Sequence, residues 1–206
     1  MYRLMFSERS PFARRIRVLL KRLDIHYKET ILDIVGAPLP DELYRWNPIG
    51  TVPILVMDEK MALSDSAAII DYFHSKKGIW SHDELKALKE RRASVQAEGL
   101  MTSSVAYFVE TNLRKLPKDE WWQDHTASIE RVLRYFQNLI KTEKDILVEN
   151  GGLTQPAWDF AIGLQYVILR MPDFKWKEFC PLGEEILNLA LQSKFFVETI
   201  PPPPVK

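Results

Sequence analysis

The sequence predicts two structural classes in one chain: an α/β domain over residues 1–78, a linker at about 79–83, and an all-helical domain over 84–206. Three observations predict it. Every convincing strand-like run precedes Gly78. Those runs alternate with helical patterns in the order β-α-β and then β-β-α. Beyond Gly78 the apolar residues recur only at helical spacing, and no convincing strand is expected there.

Taken in order, Tyr2 to Phe6 is a short apolar strand. Phe12, Ile16, Leu19, Leu20 and Leu23 then follow at helical intervals, with Pro11 suited to a first turn. The basic residues Arg14, Arg15, Arg17, Lys21 and Arg22 on this segment are expected to form a solvated helix face. His26 to Leu32 carries the β-formers Tyr27, Thr30 and Ile31. Asp33 to Trp46 is loop with room for one short helix. Ile54–Met57 and Lys60–Leu63 are strands joined by a turn at Asp58-Glu59, and a helix over Ser66–Lys76 buries Ile69, Ile70 and Phe73. Gly78 stands where a helix C′ residue is expected. The first three elements imply a parallel pair with a right-handed crossover; the next three add an antiparallel hairpin. In the second half, His82 to about Lys115 is helical and Pro117 ends it. Asp119–Lys144 follows, with Ile129, Val132, Leu133, Phe136, Leu139 and Ile140 on one face. Thr154–Met171 and Leu182–Val197 supply the rest, and the prolines from 201 to 204 favour an extended tail.

Bulk composition excludes several classes. Lys plus Arg and Asp plus Glu both number 28, so the net charge is zero and no nucleic-acid footprint is expected. Cys180 is the single cysteine, which excludes an internal disulfide and a cysteine-based zinc site. No apolar run approaches the roughly 18 residues that cross a membrane. The chain enters Tyr2-Arg3-Leu4-Met5-Phe6 without a signal-peptide core. A soluble cytoplasmic protein with no metal, nucleic-acid or membrane partner is expected.

The densest chemistry lies in Asn47-Pro48-Ile49-Gly50-Thr51-Val52-Pro53-Ile54-Leu55 and in Ser64-Asp65-Ser66. Proline cannot donate to a ladder, so Pro53 marks the first residue of a strand or an edge. An X-Pro bond is the peptide bond that turns cis at a modest cost of about 0.5–1 kcal/mol. A cis Val52-Pro53 bond would direct the N–H and C=O of Val52 outward, free to pair with an extended peptide. Ser66 would offer its hydroxyl and helix N–H groups to a carboxylate. Singly, these are ordinary turns and caps; in this order they describe a site for a peptide with a free α-carboxylate.

These residues resemble the glutathione transferase superfamily along the whole chain. The Asn47–Leu55 segment is similar to the family signature Asn-Pro-x-Gly-x-Val-Pro-x-Leu, whose last proline is cis. Ser64-Asp65-Ser66 resembles the acidic-Ser pair that holds the γ-glutamyl end of glutathione. Ser10-Pro11-Phe12-Ala13-Arg14 resembles the first-helix start of many bacterial members, and Phe195-Phe196-Val197-Glu198-Thr199-Ile200-Pro201-Pro202 has the look of one bacterial subgroup. The resemblance implies a thioredoxin-like first domain, a helical second domain, glutathione as co-substrate and a homodimer.

It also implies roles. Ser10 would stabilise the glutathione thiolate, with Ser7 as the competitor and Tyr2 too early to serve. Val52 and Pro53 would pair with the cysteinyl part, Asp65 with the α-ammonium and Ser66 with the γ-glutamyl carboxylate. Thr51 stands where many members carry lysine, which leaves the glycyl carboxylate to Thr51, Arg14 or Lys28. Phe12, Tyr107 and Phe108 would line an apolar second-substrate pocket, with Trp121-Trp122 at its entrance or simply packed. The family's helical-domain capping box is altered, or its register is displaced by a residue or two: Thr154 suits the N-cap, but Ala157 stands at N3 and the carboxylate comes at Asp159. Leu85, Leu88 and Val95 are core or interface.

The chemistry follows. A thiol with a pKa near 8.5 is mostly protonated at neutral pH, and the thiolate is the nucleophile. A hydroxyl donor at a helix N-terminus favours the anion. The expected function is glutathione transfer to a small hydrophobic electrophile in detoxification. The alternatives are a glutathione-dependent peroxidase or isomerase using the same thiolate, and a non-catalytic or regulatory binding protein on the same scaffold. Serine at position 10 argues against mixed-disulfide chemistry there.

Overall fold

The computed structural model describes residues 1–34, 38–117 and 119–203. The loop expectation for 35–37 and the tail expectation for Pro204 fall outside them. Two compact units are present: Met1–Ile79 together with Lys194–Pro202, and Trp80–Ser193.

The first unit is built on a four-stranded sheet. Its strands are β1 (Tyr2–Phe6), β2 (Tyr27–Ile31), β3 (Ile54–Val56) and β4 (Ala62–Ser64), in the order β2-β1-β3-β4. β1 pairs parallel with β2 and antiparallel with β3, and β3 pairs antiparallel with β4. Leu4, Met5 and Phe6 are all buried because both faces of β1 are covered. The alternation of the strand divides them. Met5 packs with Ile54, Val56 and Leu43 of helix α2 (Asp41–Trp46) on one face. Tyr2 meets Tyr72 and Phe73 of helix α3 (Ser66–Lys77) on the other. Helix α1 (Pro11–Arg22) is the crossover between β1 and β2 and packs beside α3. α3 ends as expected at Gly78, whose φ of 63° makes the left-handed cap. The β3–β4 turn is fixed by Asp58, whose Oδ1 accepts from the N–H of Lys60 and Met61.

One expectation about this unit is overturned. Arg14, Arg15 and Arg17 are 1%, 2% and 7% exposed, so they do not form a solvated face. Arg14 lies 4.1 Å over the Phe196 ring and donates to the Phe196 carbonyl and the Thr199 hydroxyl. Arg17 lies 4.6 Å over the Phe6 ring. The segment carrying short helix α8 (Lys194–Val197) covers this side of α1, and arginine stems and planar heads fill space between aromatic rings that lysine would leave.

The second unit is helical. It contains α4 (Glu84–Phe108), α5 (Glu120–Thr142), α6 (Gln155–Arg170) and α7 (Gly183–Leu191). α4 and α5 start on Asp83 and Asp119, whose carboxylates accept from backbone N–H groups three residues on. α6 is buried without a break from Gln155 to Val167 and is the axis of the unit. A Cβ at Gly163 would meet Leu100 at 3.1 Å, so glycine is what lets α6 approach α4 there. Phe160 stacks on Phe136 of α5 with ring centres 4.0 Å apart.

A second expectation is corrected here. A two-stranded hairpin, β5 (Val148–Glu149) and β6 (Gly152–Leu153), follows Gly78 after all. Strands of two residues carry too little alternation to be seen in sequence; the turn signal was Asn150-Gly151, both at positive φ. Leu85, Leu88 and Val95 are also not core, being 64%, 58% and 63% exposed on α4. Among the described residues no helix is long and apolar enough to cross a membrane.

Candidate functional site

The sheet register gathers the predicted residues at one edge of the first unit. Met5 of β1 stands opposite Ile54 of β3, and Ile54 stands opposite Ser64 of β4. One step beyond that row lie the exit of β1 toward Ser7–Ser10, the entry to β3 at Val52-Pro53, and the exit of β4 into Asp65-Ser66. Three segments distant in sequence therefore end side by side. Such an edge, where strands give way to helix starts, is where α/β sheets place their ligands.

Each segment has a local reason for its shape. The Val52-Pro53 bond is cis. The approach to it is held by Asn47, which is buried. Its amide donates to the Thr51 carbonyl and hydroxyl, both at 2.9 Å, and its Oδ1 accepts from the Ile49 N–H. Gly50 has φ 77°, a left-handed conformation that favours glycine, and a Cβ there would stand 3.0 Å from the Tyr44 ring. Thr51 is exposed, with its hydroxyl oxygen already accepting from Asn47.

Ser10 is the N-cap of α1 and only 7% exposed. Its oxygen accepts from the Ala13 N–H at 3.2 Å. That bond occupies a lone pair, not the O–H hydrogen, and leaves the hydroxyl able to donate. Ser7 is also buried. Its carbonyl accepts from the Ser10 N–H, and its side chain lines a cleft with Glu8, Arg9, Ile31 and Pro202 on the β2 flank. Tyr2 sits at the opposite end of β1, its hydroxyl bonded at 2.8 Å to that of Tyr72. That bond, with burial second, raises its pKa.

Asp65 caps α3 by accepting from the Ala67 N–H at 2.7 Å. Its φ is 76°, a strained conformation for a residue with a side chain, and such strain gathers at functional positions. Ser66 follows at the first helical position, fully buried. Its oxygen accepts from the Arg15 guanidinium at 3.1 Å. Arg15, expected on a solvated face, is instead buried and bonded to a candidate site residue, and the signal for it in the sequence is its place five residues after the cap Ser10.

Other candidates lie elsewhere. Arg14 is committed to Phe196 and Thr199 and is not placed to receive the glycyl carboxylate. Lys28 is exposed on β2, on the far side of β1 from β3. Phe12 is half-buried on α1 in the first unit. Tyr107 and Phe108 belong to the second, where Tyr107 packs on Trp122 at 5.4 Å and Phe108 lies beneath Arg170. The Cys180 thiol is fully buried in the second unit, and burial pushes its pKa up to about 12, so it is no thiolate at neutral pH. No group of His, Cys, Asp or Glu suited to a metal occurs among the described residues.

At the start of α6, Thr154 is the N-cap, as expected, but its side chain makes no capping bond; it donates instead to the Ile146 carbonyl at 2.7 Å. Asp159 accepts from Ser94 at 2.6 Å and from Gln155 at 2.8 Å. The box is thus altered with its register intact, and the Trp158 indole bonds back to the Leu153 carbonyl.

Residues 9–76 match the family model of the glutathione S-transferase N-terminal domain. Glutathione S-transferase 1 of Dianthus caryophyllus is 31% identical over 134 residues, which are 58% of each chain. The chain thus spans little more than half the length of that curated relative. A glutathione S-transferase from Methylobacterium radiotolerans, solved with glutathione sulfonate, superposes with a TM-score of 0.86 at 20% identity, covering 100% of this chain and 97% of that one. A second, from Methylobacillus flagellatus with glutathione bound, gives 0.85 at 22% identity over 98% and 100%. At these identities the two structures speak for the fold: a thioredoxin-like sheet domain with a helical region after it. Residues 9–76 thus match a glutathione S-transferase N-terminal domain, and the fold of the chain is that of solved glutathione S-transferases.

Proposed function

We propose that this protein binds glutathione through residues 1–78 of its first unit and activates the thiol for attack on a small hydrophobic electrophile. The observation that carries the reading is the Ser10 hydroxyl. It is buried at a helix N-terminus, with its oxygen held by the Ala13 N–H and its proton available to a sulfur anion. Each unit by which the thiol pKa falls is worth about 1.4 kcal/mol of preference for the anion. Ser10 donates and does not act as a base. Ser7 is the weaker choice because it lines the β2 flank, whereas Val52 and Ser66 stand on the β3 side.

In this reading the backbone of Val52, ahead of Pro53, pairs with the cysteinyl residue. Asp65 meets the α-ammonium, Ser66 the γ-glutamyl carboxylate, and Thr51 donates to the glycyl end. Phe12 contributes apolar contact beside the sulfur. The exposed row Leu85, Leu88 and Val95 supports a homodimer, and a cytoplasmic location fits a thiol co-substrate.

The test is glutathione-affinity chromatography combined with a halo-nitroarene conjugation assay on wild type and Ser10→Ala. We expect the variant to bind glutathione within a few-fold of wild type and to lose about 100- to 1000-fold in kcat/KM, the usual cost of one preorganised donor to a developing anion. Unchanged turnover in Ser10→Ala overturns the role of Ser10. A wild-type protein that binds glutathione and turns over no electrophile overturns the enzyme reading in favour of a binding protein.

A further inference from the structure

We propose that Arg15 is a positioning residue that makes this site selective for the α-carboxylate at the γ-glutamyl end of its ligand. The inference rests on the glutathione reading above and extends it to a residue the sequence assigns no role. Arg15 reaches from α1 to the start of α3 and donates to the Ser66 oxygen at 3.1 Å. Both side chains are buried.

The consequence is set by the hydroxyl's bonding capacity. A serine hydroxyl has one proton and two lone pairs. Inside a helix a serine commonly turns its proton back to the carbonyl four residues earlier, as Ser104 does with Leu100. Ser66 stands at the first helical position, where the residue four back, Ala62, belongs to β4. A lone pair of Ser66 is engaged by a cationic donor, so its proton is directed to an acceptor beyond the helix end. A charge-assisted donor behind the oxygen strengthens that donation. Asp65, held next to Ser66 by its φ of 76°, supplies the opposite sign. A donor backed by a cation beside a carboxylate fits a zwitterionic α-amino-acid head. The other two buried arginines of α1 are committed elsewhere, Arg14 to the C-terminal segment and Arg17 to the Phe6 ring.

The experiment compares glutathione with 4-aminobutyryl-cysteinyl-glycine, which lacks only the α-carboxylate. Wild type, Arg15→Gln and Arg15→Lys are assayed by conjugation kinetics and by direct thiol-ligand binding. Wild type is expected to favour glutathione by about tenfold to a hundredfold, the range for a hydrogen bond to a charged group. Arg15→Gln should raise KM for glutathione by a similar factor, leave kcat within about threefold, and leave the constants for the analogue unchanged. Arg15→Lys should recover part of the preference. An equal loss toward both ligands overturns the proposal, because a purely structural arginine would affect both alike. Should Arg15→Gln not fold, Arg15→Lys carries the same comparison: a rise in KM for glutathione alone supports the proposal, and parallel changes or no change overturn it. Failure of wild type to bind either thiol would strike at the glutathione reading itself, an outcome distinct from loss of selectivity in the variants.

Discussion

The helix starts of the first unit and the start of α6 in the second use similar residues to different ends. At Ser10 and Ser66 the protein supplies a donor to the hydroxyl oxygen and leaves the hydroxyl proton to spare. At α6 the Thr154 hydroxyl is spent on the Ile146 carbonyl, and Asp159 is enclosed by Ser94 and Gln155. The first arrangement leaves a donor for the ligand proposed above; in the second the described bonds join groups of the same unit. A buried polar group can serve a ligand only with hydrogen-bonding capacity that the fold has not used.

The largest effect that bears on this contrast is expected at Asp159. Asp159→Ala removes the acceptor of two buried donors, so we expect about 3 kcal/mol of destabilisation in urea unfolding. Glutathione affinity of the remaining folded protein should stay unchanged. A loss of affinity as large as the loss of stability would break the distinction between the two kinds of start.

A smaller effect of opposite character is expected at Asp65. Asp65→Gly gives up a cap, which costs a few tenths of a kcal/mol when glycine replaces it, and relieves a positive φ. Stability should stay within about 1 kcal/mol of wild type or rise, while affinity for glutathione falls. Calorimetry with and without glutathione reads both; destabilisation on the scale of Asp159→Ala would show that the α3 start is structural.

The smallest effect is at Glu90, buried in the second unit and accepting from the Ser81 N–H. Burial raises its pKa above the ordinary carboxylate value. Its protonated form is thus favoured by folding, and the stability this gives is lost as pH rises through the folded pKa. Glu90→Gln keeps an acceptor for Ser81 and never ionises. It should be more stable than wild type at neutral pH, with the difference vanishing as the pH is lowered through the carboxylate range. A difference that grows on acidification would mean that the charged form is the one the fold favours.

Legibility followed the range of the interaction. The Asn47–Leu55 turn could be read because its requirements are local: Gly50 at positive φ, proline at 53, and an asparagine that bonds within four residues of itself. The helix caps at Ser10, Asp65 and Gly78 were legible for the same reason. The β5–β6 hairpin escaped because two-residue strands leave no period to detect. Arg15 escaped because the partner that gives it meaning lies 51 residues away, and nothing in its neighbours separates a buried guanidinium from a solvated one.

By itself, then, the sequence determined the class of each half, the turns, the caps and the residue types offered to a ligand, since these depend on backbone dihedrals and hydrogen bonds within a turn or two. Only the tertiary structure decided that β1, β3 and β4 end in one row, that Arg14 and Arg17 lie on aromatic rings, and that Arg15 stands behind Ser66. Register and burial are fixed by packing between distant segments, which no local pattern encodes.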